Sequence, residues 1–310
     1  MSLASKSSAT NQDYYIASNT DDSDPRVYLS KIEHDRLLAS KNTLTASFAI
    51  EETFDLLSSN FLELEKDALS LSADLMLRPT FDHGIAFRIR AQINRRVINL
   101  LSSARLYLDQ LKRNVRTCTS NTDTQDTITD KLRSHEFDRN FDYRFGEALR
   151  NHVQHNGLAV HSVNFPIKYV HMEVDDNNSL GMEINLKLFA NKKILSTDNR
   201  FRSSTLAELP EEIELRQTLR SYMGSLNIIH AKVRELIDPP TSSSRAFIKK
   251  FHNKYQKLSG TKVNSFRTFQ ANSDDESTFI SLEWDEIRRE LREKNETTSN
   301  LAIRFVTARP

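Results

Sequence analysis

Two long stripes of apolar residues at helical spacing constrain the fold of this chain more than any other feature of its sequence. The first stripe consists of Phe54, Leu57, Phe61, Leu64, Ala68, Leu71 and Leu75. The second consists of Ile85, Ile89, Ile93, Val97, Leu100, Ala104, Leu108, Leu111 and Val115. Steps of three and four put such residues on one helix face, so the stripes predict helices at about 44–78 and 83–116. A short loop between helices this long favours an antiparallel hairpin.

A polar loop and a third helical region follow the second helix. The loop runs from Thr117 to Asp126, and helical periodicity then extends from about Thr127 to His155. We expect a break in this region near Ser134-His135 or near Arg139-Asn140. Asn156-Gly157 should end the helix, because Asn and Gly tolerate the left-handed conformation that caps a helix C-terminus.

The apolar spacing then changes from a helical period to a period of two, which is typical of a half-buried strand. The alternating apolar residues are Leu180, Met182, Ile184, Leu186 and Leu188. We expect Phe165 to Val174 to pair with them, through a turn formed by Asp175 to Ser179. The sequence therefore predicts a β-hairpin near residues 163–190, inserted into a helical protein.

Helical spacing returns after the predicted hairpin. A helix should start at Pro210, because proline and acidic residues suit the first helical turn, and should end at Asp238-Pro239-Pro240. A shorter helix is predicted from Ser244 to Leu258. The remaining segments predicted are strand-like runs at 265–270, 278–283 and 302–306 and a charged helix at 285–294.

These patterns predict a mainly α fold with three parts. Residues 1–25 are rich in Ser, Thr, Asn and Asp without periodicity, which indicates a disordered tail. Residues 26–240 are expected to form a bundle of long antiparallel helices that carries the β-hairpin. Residues 241–310 are expected to form a small α+β region.

Composition excludes several classes of site. The formal net charge is +1, so the chain as a whole is not a basic nucleic-acid coat, although a local basic patch is compatible with it. Only 6 glycines are present and no glycine-rich phosphate loop occurs. Cys118 is the single cysteine, which excludes an internal disulfide and a CxxC metal site. The N-terminus lacks the apolar block of a signal peptide and no apolar run is long enough for a membrane span, so a cytoplasmic protein is expected.

The segment Arg150-Asn151-His152-Val153-Gln154-His155 is the part of the sequence that indicates chemistry. It combines an arginine, a polar residue directly after it and a histidine at the end of the third helical region. This arrangement resembles the signature of the HEPN superfamily, which is Arg, a polar residue, a short spacer and His. The resemblance covers about residues 44–157 and the helix from 210 to 238. The predicted β-hairpin and C-terminal region depart from a minimal four-helix HEPN bundle.

The resemblance implies a metal-independent endoribonuclease with Arg150, Asn151 and His155 in its catalytic site, without a cofactor. The residue types suit attack by a 2′-hydroxyl on the adjacent phosphorus. Histidine exchanges protons near neutral pH. Arginine stays charged and matches phosphate oxygens with its fork of donors. The family includes toxins and antiviral defence effectors, so an antitoxin or regulatory protein is an expected partner beside RNA.

The geometry of one helix does not bring the two ionisable motif residues together. Asn151 and His155 are four apart and share a helix face, whereas Arg150 lies about 140° around the axis from His155. HEPN sites are usually composite, formed by two copies of the motif that face one another. The resemblance therefore implies a homodimer whose active site is shared between the chains.

Alternative interpretations of the same residues remain open. The chain could be a non-catalytic HEPN-like module that binds RNA or protein, or a structural helical protein in which the motif has no function. A metal site could be assembled from His152, His155, His161 and His171, although no HExxH pattern supports it. Asp138 and Asp142 could act as paired carboxylates, but solvated helix charges are the commoner case.

Two basic surfaces are candidates for RNA binding. Arg88, Arg95 and Arg96 lie on the second predicted helix. Lys249, Lys250 and Lys254 lie on the predicted 244–258 helix, where Phe247, Phe251 and Tyr255 recur every four residues. That spacing indicates a buried aromatic stripe rather than a platform on which bases stack.

Overall fold

A computed structural model describes residues 13–18, 24–78, 82–119, 123–174, 177–260, 263–270, 277–296 and 301–304. Within these ranges the chain is mainly helical with small antiparallel sheets. It forms two compact units, each built from three stretches of sequence. Unit 1 comprises residues 1–51, 113–125 and 234–293, and unit 2 comprises residues 52–112, 126–233 and 294–310.

The helices and strands have the following bounds. The helices are α1 Lys31–Leu77, α2 His83–Thr119, α3 Asp123–Arg139, α4 Phe141–His155, α5 Lys192–Leu195, α6 Ser203–Glu208, α7 Leu215–Ser259 and α8 Glu283–Lys294. The strands are β1 Tyr14–Ala17, β2 Val27–Leu29, β3 Ser162–Asn164, β4 Ile167–Val174, β5 Asn177–Ile184, β6 Lys187–Asn191, β7 Glu212–Glu214, β8 Ser265–Gln270 and β9 Ser277–Ser281. A short 3₁₀ turn spans Leu301–Ile303.

In unit 2, α1 packs antiparallel to both α2 and α7. Phe54 stacks on His230 with ring centroids 3.6 Å apart and meets Tyr107 edge-on at 5.6 Å. Further along α1, Asp67 accepts a hydrogen bond from Gln92 of α2, and Glu65 binds Arg220 of α7. Partner numbers fall as α1 numbers rise, which establishes the antiparallel arrangement that the apolar stripes predict.

The third helical region breaks at one of the two predicted positions. Asn140 separates α3 from α4, and its side chain accepts a hydrogen bond from the Asp142 backbone N–H at 2.9 Å. The same side chain donates to the hydroxyls of Ser221 and Ser225 on α7. An N-cap asparagine therefore starts α4 and also anchors it to α7. The loop predicted at 117–126 is wrong at both ends, since α2 reaches Thr119 and α3 begins at Asp123.

The predicted β-hairpin is present, but its second strand, β5, begins before Leu180 and ends at Ile184 instead of continuing to Leu188. Strands β4 and β5 pair antiparallel from Ile167 opposite Ile184 to Val174 opposite Asn177. Residues 187–191 leave this ladder and form the centre of a separate sheet in the order β3-β6-β7. The uninterrupted alternation from Leu180 to Leu188 concealed this change of partner. Asp175 and Asp176 of the predicted turn lie outside the described residues.

Unit 1 contains a four-stranded antiparallel sheet in the order β2-β1-β8-β9. Strand β1 lies within the segment predicted as a disordered tail, so that prediction is wrong for Tyr14–Ala17. Ile16 of β1 is fully buried in the core of this unit. The other core residues are Val27, Leu29, Leu37, Leu44, Ile248, Phe251, Tyr255, Phe266 and Ile280. The sequence of β1 shows no local periodicity, so its strand structure depends on pairing with β8, which is distant in the chain.

Helix α7 does not end at the proline pair. It begins at Leu215, after Glu212–Glu214 has paired as a strand, and continues through Pro239 and Pro240 to Ser259. Proline keeps a helical φ, so a helix can continue past it at the cost of backbone hydrogen bonds. The separate helix predicted at 244–258 is therefore part of α7, and the domain boundary predicted near 240 falls inside a helix.

Helix α1 starts earlier than predicted because of a capping box. The Ser30 hydroxyl accepts a hydrogen bond from the Glu33 backbone N–H, and the Glu33 carboxylate accepts from the Ser30 backbone N–H. The predicted C-terminal strand at 302–306 is wrong in its described part, where residues 301–303 form the 3₁₀ turn. No helix in the described ranges is long and apolar enough to cross a lipid bilayer.

Candidate functional site

One face of α4 carries the first two motif residues together with two earlier polar residues. Tyr143, Glu147, Arg150 and Asn151 recur at steps of four, three and one, so they lie along one side of the helix. Leu149 lies on the opposite side of the helix and is fully buried. The start of the motif therefore shares a helix face with the Glu147 carboxylate about one turn earlier and the Tyr143 hydroxyl about two turns earlier.

This face of α4 forms one wall of a polar cleft of about 410 Å³ within unit 2. Its lining residues are Asp130, Arg133, Ser134, Phe137, Tyr143, Glu147, Arg150, Asn151 and Arg202. Three arginines from α3, α4 and the start of α6 thus converge on one opening. Of the two acids, Asp130 binds the Lys112 ammonium at 2.8 Å. The cleft therefore favours an anionic ligand.

Arg150 lines this cleft with a buried side chain that a neighbouring carboxylate holds in place. Its side chain is only 8% exposed, and one Nη lies 3.3 Å from the Glu147 carboxylate. Glu147 in turn accepts a hydrogen bond from the Tyr222 hydroxyl at 2.8 Å. The Arg150 Nε is buried and has no hydrogen-bond partner in the part of the chain that the structure describes. This guanidinium group is oriented by one carboxylate and keeps donor capacity for a ligand.

Tyr143 contributes a buried hydroxyl to the cleft. Burial and the nearby Glu147 carboxylate raise the pKa of Tyr143 to about 12, and the nearby Arg133 guanidinium opposes the shift. The phenol therefore stays protonated at neutral pH and can donate a hydrogen bond. The Arg133 Nε, like that of Arg150, is buried without a partner among the described residues.

Arg202 and Phe137 form the outer part of the cleft. The Arg202 guanidinium carbon lies 4.6 Å from the centre of the Phe137 ring, which is a cation–π distance. Arg202 is exposed, whereas Phe137 is partly buried. A planar cation therefore lies over an aromatic ring at the solvent side of the cleft.

The remaining motif residue is not part of this cleft. His155 is exposed at the last residue of α4 and is not among the lining residues, whereas Asn151 is partly buried and lines the cleft. A single chain therefore brings Arg150 and Asn151 together and leaves His155 apart. The separation of Arg150 from His155 agrees with the helical geometry expected from the sequence, whereas Asn151, which was expected to share the face of His155, lines the cleft with Arg150.

The histidine inside the motif has a structural environment. His152 is buried, and its Nδ1 lies 2.9 Å from the Asp198 carboxylate. Burial favours protonation of Asp198, but hydrogen bonds from the Arg200 N–H, His152 and Asn156 outweigh it and lower the pKa of Asp198. His152 thus ties the end of α4 to the segment after α5.

Gly157 is needed because a larger residue would collide with a neighbouring side chain, and not because its backbone adopts a left-handed conformation. A Cβ at this position would lie 2.9 Å from the His152 Nε2. Asn156, the C-cap residue of α4, has φ −139° and is not left-handed, so the predicted left-handed cap is wrong. The helix still ends there, with the Asn156 N–H donating to the His152 carbonyl.

The alternative histidine metal site finds no support in the described ranges, where no three His, Cys, Asp or Glu side chains form a group that could hold a metal. His161 is engaged elsewhere, since its Nδ1 accepts the Asn191 backbone N–H at 2.8 Å. The side chain of His171 lies outside the described residues. Of the paired carboxylates, Asp138 is exposed and Asp142 is partly buried, and burial raises the pKa of Asp142.

The two predicted basic surfaces differ in how free their charges are. On α2, Arg88 and Arg95 are exposed, but Arg96 is bound by the carboxylates of Glu63 and Asp67. On α7, three lysines are exposed: Lys249, Lys250 and Lys254. The aromatic residues beside these lysines are buried at Phe251 and Tyr255 and partly buried at Phe247, as their spacing predicts.

The sequence reasoning missed several residues that form the cleft. Tyr143 and Glu147 could have been found, because they lie seven and three positions before Arg150 on the same helix face. Arg133 and Arg202 reach the cleft from other segments and give no local signal. Comparison of the chain with known protein families, with curated proteins and with solved structures finds no match.

Proposed function

We propose that this chain is a HEPN-type endoribonuclease that cleaves RNA without a metal ion, on a helical bundle of the HEPN type. The observation that carries the proposal is the convergence of Arg150 and Asn151 with Arg133 and Arg202 in one polar cleft. Three guanidinium groups suit the phosphodiester backbone of RNA, because each can offer two parallel donors to phosphate oxygens.

The proposed reaction uses the residue types of the motif. The 2′-oxygen attacks the adjacent phosphorus while its proton passes to a base, and the bond from phosphorus to the 5′-oxygen breaks as that oxygen takes up a proton. Histidine transfers protons near neutral pH, and His155 is the exposed histidine of the motif. Arg150 balances the negative charge that develops on the phosphate oxygens, and Asn151 orients the phosphate.

The separation of His155 from the cleft supports a homodimer with a composite site. In the proposed dimer the Arg150 to His155 segments of two chains face one another, so that His155 of one chain serves the cleft of the other. A twofold contact is the commonest way to bring identical surfaces together. We propose RNA as the substrate, a cytoplasmic role as a toxin or antiviral defence effector, and an antitoxin or regulatory protein as a further partner.

A cleavage assay tests this proposal. Purified protein is incubated with single-stranded RNA in excess EDTA, and the ends of the products are identified. We expect cleavage that leaves a 2′,3′-cyclic phosphate on the upstream product and a 5′-hydroxyl on the downstream product. His155→Ala should abolish cleavage, while His135→Ala, which removes another exposed histidine, should not. Uncut RNA with folded, dimeric protein would contradict the proposal.

A second candidate function is RNA binding without cleavage. The observation that favours it is the pairing of Arg150 with Glu147, together with the exposure of His155 outside the cleft. Both features are compatible with a cleft that holds phosphate but carries out no proton transfer. RNA binding that leaves no cleavage product, and that Arg150→Ala weakens, would favour this function over the enzyme.

A further inference from the structure

We infer that the cleft between α3, α4 and the start of α6 binds one nucleotide, with its phosphate on Arg150 and Arg133 and its base on Arg202. This inference rests on the proposed function, because it assigns one unit of the RNA substrate to the cleft. Substrate binding then involves three residues outside the motif, which are Arg133, Tyr143 and Arg202.

The inner part of the cleft is suited to a phosphate group. Arg133 and Arg150 each carry a buried Nε–H with no acceptor in the described part of the chain. Buried N–H groups without acceptors are rare in native proteins, so two of them in one cleft indicate a place for an acceptor. The protonated Tyr143 hydroxyl, which is also buried on a residue that lines the cleft, is a third donor. Together these groups match the several oxygens of a phosphate.

The outer part of the cleft is suited to a planar base. The Arg202 guanidinium carbon already lies over the Phe137 ring, 4.6 Å from its centre, and this contact restrains the guanidinium group. Because Arg202 is exposed, its other face is accessible to a ligand. Bases stack on such guanidinium planes without strong sequence preference, so the site should accept purines and pyrimidines.

The charges in the cleft support an anion with one or two negative charges. Glu147 is neutralised by Arg150 and hydrogen-bonded to Tyr222, and Asp130 is neutralised by Lys112. The two remaining arginines therefore supply the net positive charge. A cleft of about 410 Å³ is at the small end of the range for ligand pockets, which fits one nucleotide better than a longer segment.

Calorimetric titration of the full chain in low-salt buffer tests the inference. The ligands are adenosine 3′-monophosphate, uridine 3′-monophosphate, adenosine and inorganic phosphate. We expect both nucleotides to bind about tenfold more tightly than phosphate or adenosine, because only a nucleotide uses both parts of the cleft. Arg202→Lys, which keeps the charge and loses the plane, should weaken nucleotide binding about tenfold and leave phosphate binding unchanged.

Matched variants separate the cleft from general charge. Arg133→Ala should weaken both nucleotide and phosphate binding about tenfold, because it removes a charge-assisted donor. Arg139→Ala on the same helix and Arg200→Ala near Arg202 remove exposed arginines that do not line the cleft, and both should bind as wild type does. Equal weakening by these control variants would overturn the inference, as would wild-type nucleotide binding by Arg202→Lys.

A competition experiment distinguishes RNA from a free mononucleotide as the ligand of the cleft. A 2′-O-methyl oligonucleotide cannot be cleaved through the 2′-oxygen and should compete with the mononucleotides for the cleft. Binding of mononucleotides without such competition would overturn the assignment to RNA. Nucleotide binding with the expected variant effects but without RNA cleavage contradicts the proposed enzyme and leaves this inference standing. RNA cleavage with unchanged KM and kcat in Arg202→Lys contradicts the inference alone.

Discussion

The Nδ1 of His152 lies 2.9 Å from the Asp198 carboxylate, and each of these side chains is only 3% exposed. The pair joins the end of α4 to the segment that precedes α6 and the third arginine of the cleft. His152 is the histidine closest to Arg150 in the sequence, yet its contacts are those of a structural residue. His155, three positions on, is exposed to solvent.

His152→Ala should therefore destabilise the protein much more than His155→Ala. Removing His152 leaves a buried Asp198 carboxylate without its main side-chain partner, and we expect a loss of about 3 kcal/mol in the free energy of unfolding. His155→Ala removes an exposed side chain and should change that free energy by less than about 0.5 kcal/mol. Urea unfolding of both variants measures the difference. Equal stability of the two variants would contradict the structural role of His152.

Stability should fall as the pH drops below about 6.5, partly because of His161. Burial lowers the pKa of His161, His152 and Arg90 lower it further, and the Leu158 carbonyl opposes them, so the folded pKa lies below the usual value of 6.5. The folded state then binds fewer protons than the unfolded state in this window. The contribution of His161 to the free energy of unfolding is fully present above pH 6.5 and is lost as the pH falls through the folded pKa. Protonation of Nδ1 would also break its hydrogen bond from the Asn191 N–H.

Unfolding by urea between pH 7.5 and 5.5 checks this dependence. His161→Ala should flatten the fall in unfolding free energy that the wild type shows across the window, even if its stability is lower throughout. His155→Ala, which removes an exposed imidazole, is the matched control and should keep the wild-type slope. An unchanged slope in His161→Ala would show that other groups cause the pH dependence.

Much of unit 2 is predictable because its signals are local. The apolar stripes specify α1, α2 and their antiparallel packing, and Asn140 lies at one of the two breaks expected in the third helical region. The capping box at Ser30 and Glu33 is equally local and could have placed the start of α1. Pairings such as β1 with β8 join residues more than two hundred positions apart, so no window of sequence reveals them.

Gly146→Ala should destabilise unit 2 through a clash with Tyr222. An added Cβ would lie 2.5 Å from Tyr222 Cδ2, and that ring is fully buried, so it cannot move aside freely. We expect a loss of about 1–3 kcal/mol, as for other overpacked cores. Gly224→Ala on α7 is the matched control, since nothing lies within 4 Å of its added Cβ. Higher helix propensity should stabilise that variant by up to about 1 kcal/mol.

Thermal unfolding of the two glycine variants distinguishes the clash from the gain in helix propensity, because the melting temperature should shift in opposite directions. A lower melting temperature for Gly146→Ala and a higher one for Gly224→Ala are expected. A neutral Gly146→Ala would mean that α4 and α7 can separate at this contact without cost. The sequence offered no signal for this contact, because the close approach of Gly146 to Tyr222 depends on how two distant helices pack.

The candidate site was predictable only in part, for a similar reason. The motif selects Arg150, Asn151 and His155 as candidates, and helical spacing indicates that one helix does not bring Arg150 and His155 together. Arg202 joins Arg150 in the cleft only through tertiary packing, and Asp198 meets His152 only across a sequence separation of 46. Residues from such separate segments carry no shared pattern in one sequence.

Arg150→Ala should lower both cleavage and stability, whereas Arg150→Lys should lower mainly cleavage. The alanine variant leaves Glu147, with a side chain only 13% exposed, without its cation, and we expect a loss of about 1–3 kcal/mol. Lysine keeps a charge near Glu147 but cannot offer the planar fork to phosphate. Arg105→Ala, which breaks a surface ion pair with Asp109, is the control and should leave cleavage unchanged. Full cleavage by Arg150→Lys would mean that a point charge suffices.

The proposed composite site predicts complementation between inactive variants. Arg150 lines the cleft and His155 does not, so each complete site needs Arg150 from one chain and His155 from the other. Arg150→Lys and His155→Ala homodimers should both be inactive. A heterodimer of the two variants contains one site with wild-type Arg150 and His155 and one site with neither, so mixing should recover up to half of the activity per mixed dimer.

Complementation is measured by mixing the two variants under conditions that exchange chains and then assaying RNA cleavage in EDTA. Light scattering first establishes that the wild type is dimeric, since a strict monomer would remove the basis of the experiment and contradict the composite site. Mixing His155→Ala with an Asn151→Ala, His155→Ala double variant is the negative control, because no site in that mixture contains His155. Recovery in the first mixture alone is the expected result, since only there does one intact Arg150 face one intact His155 across the twofold contact.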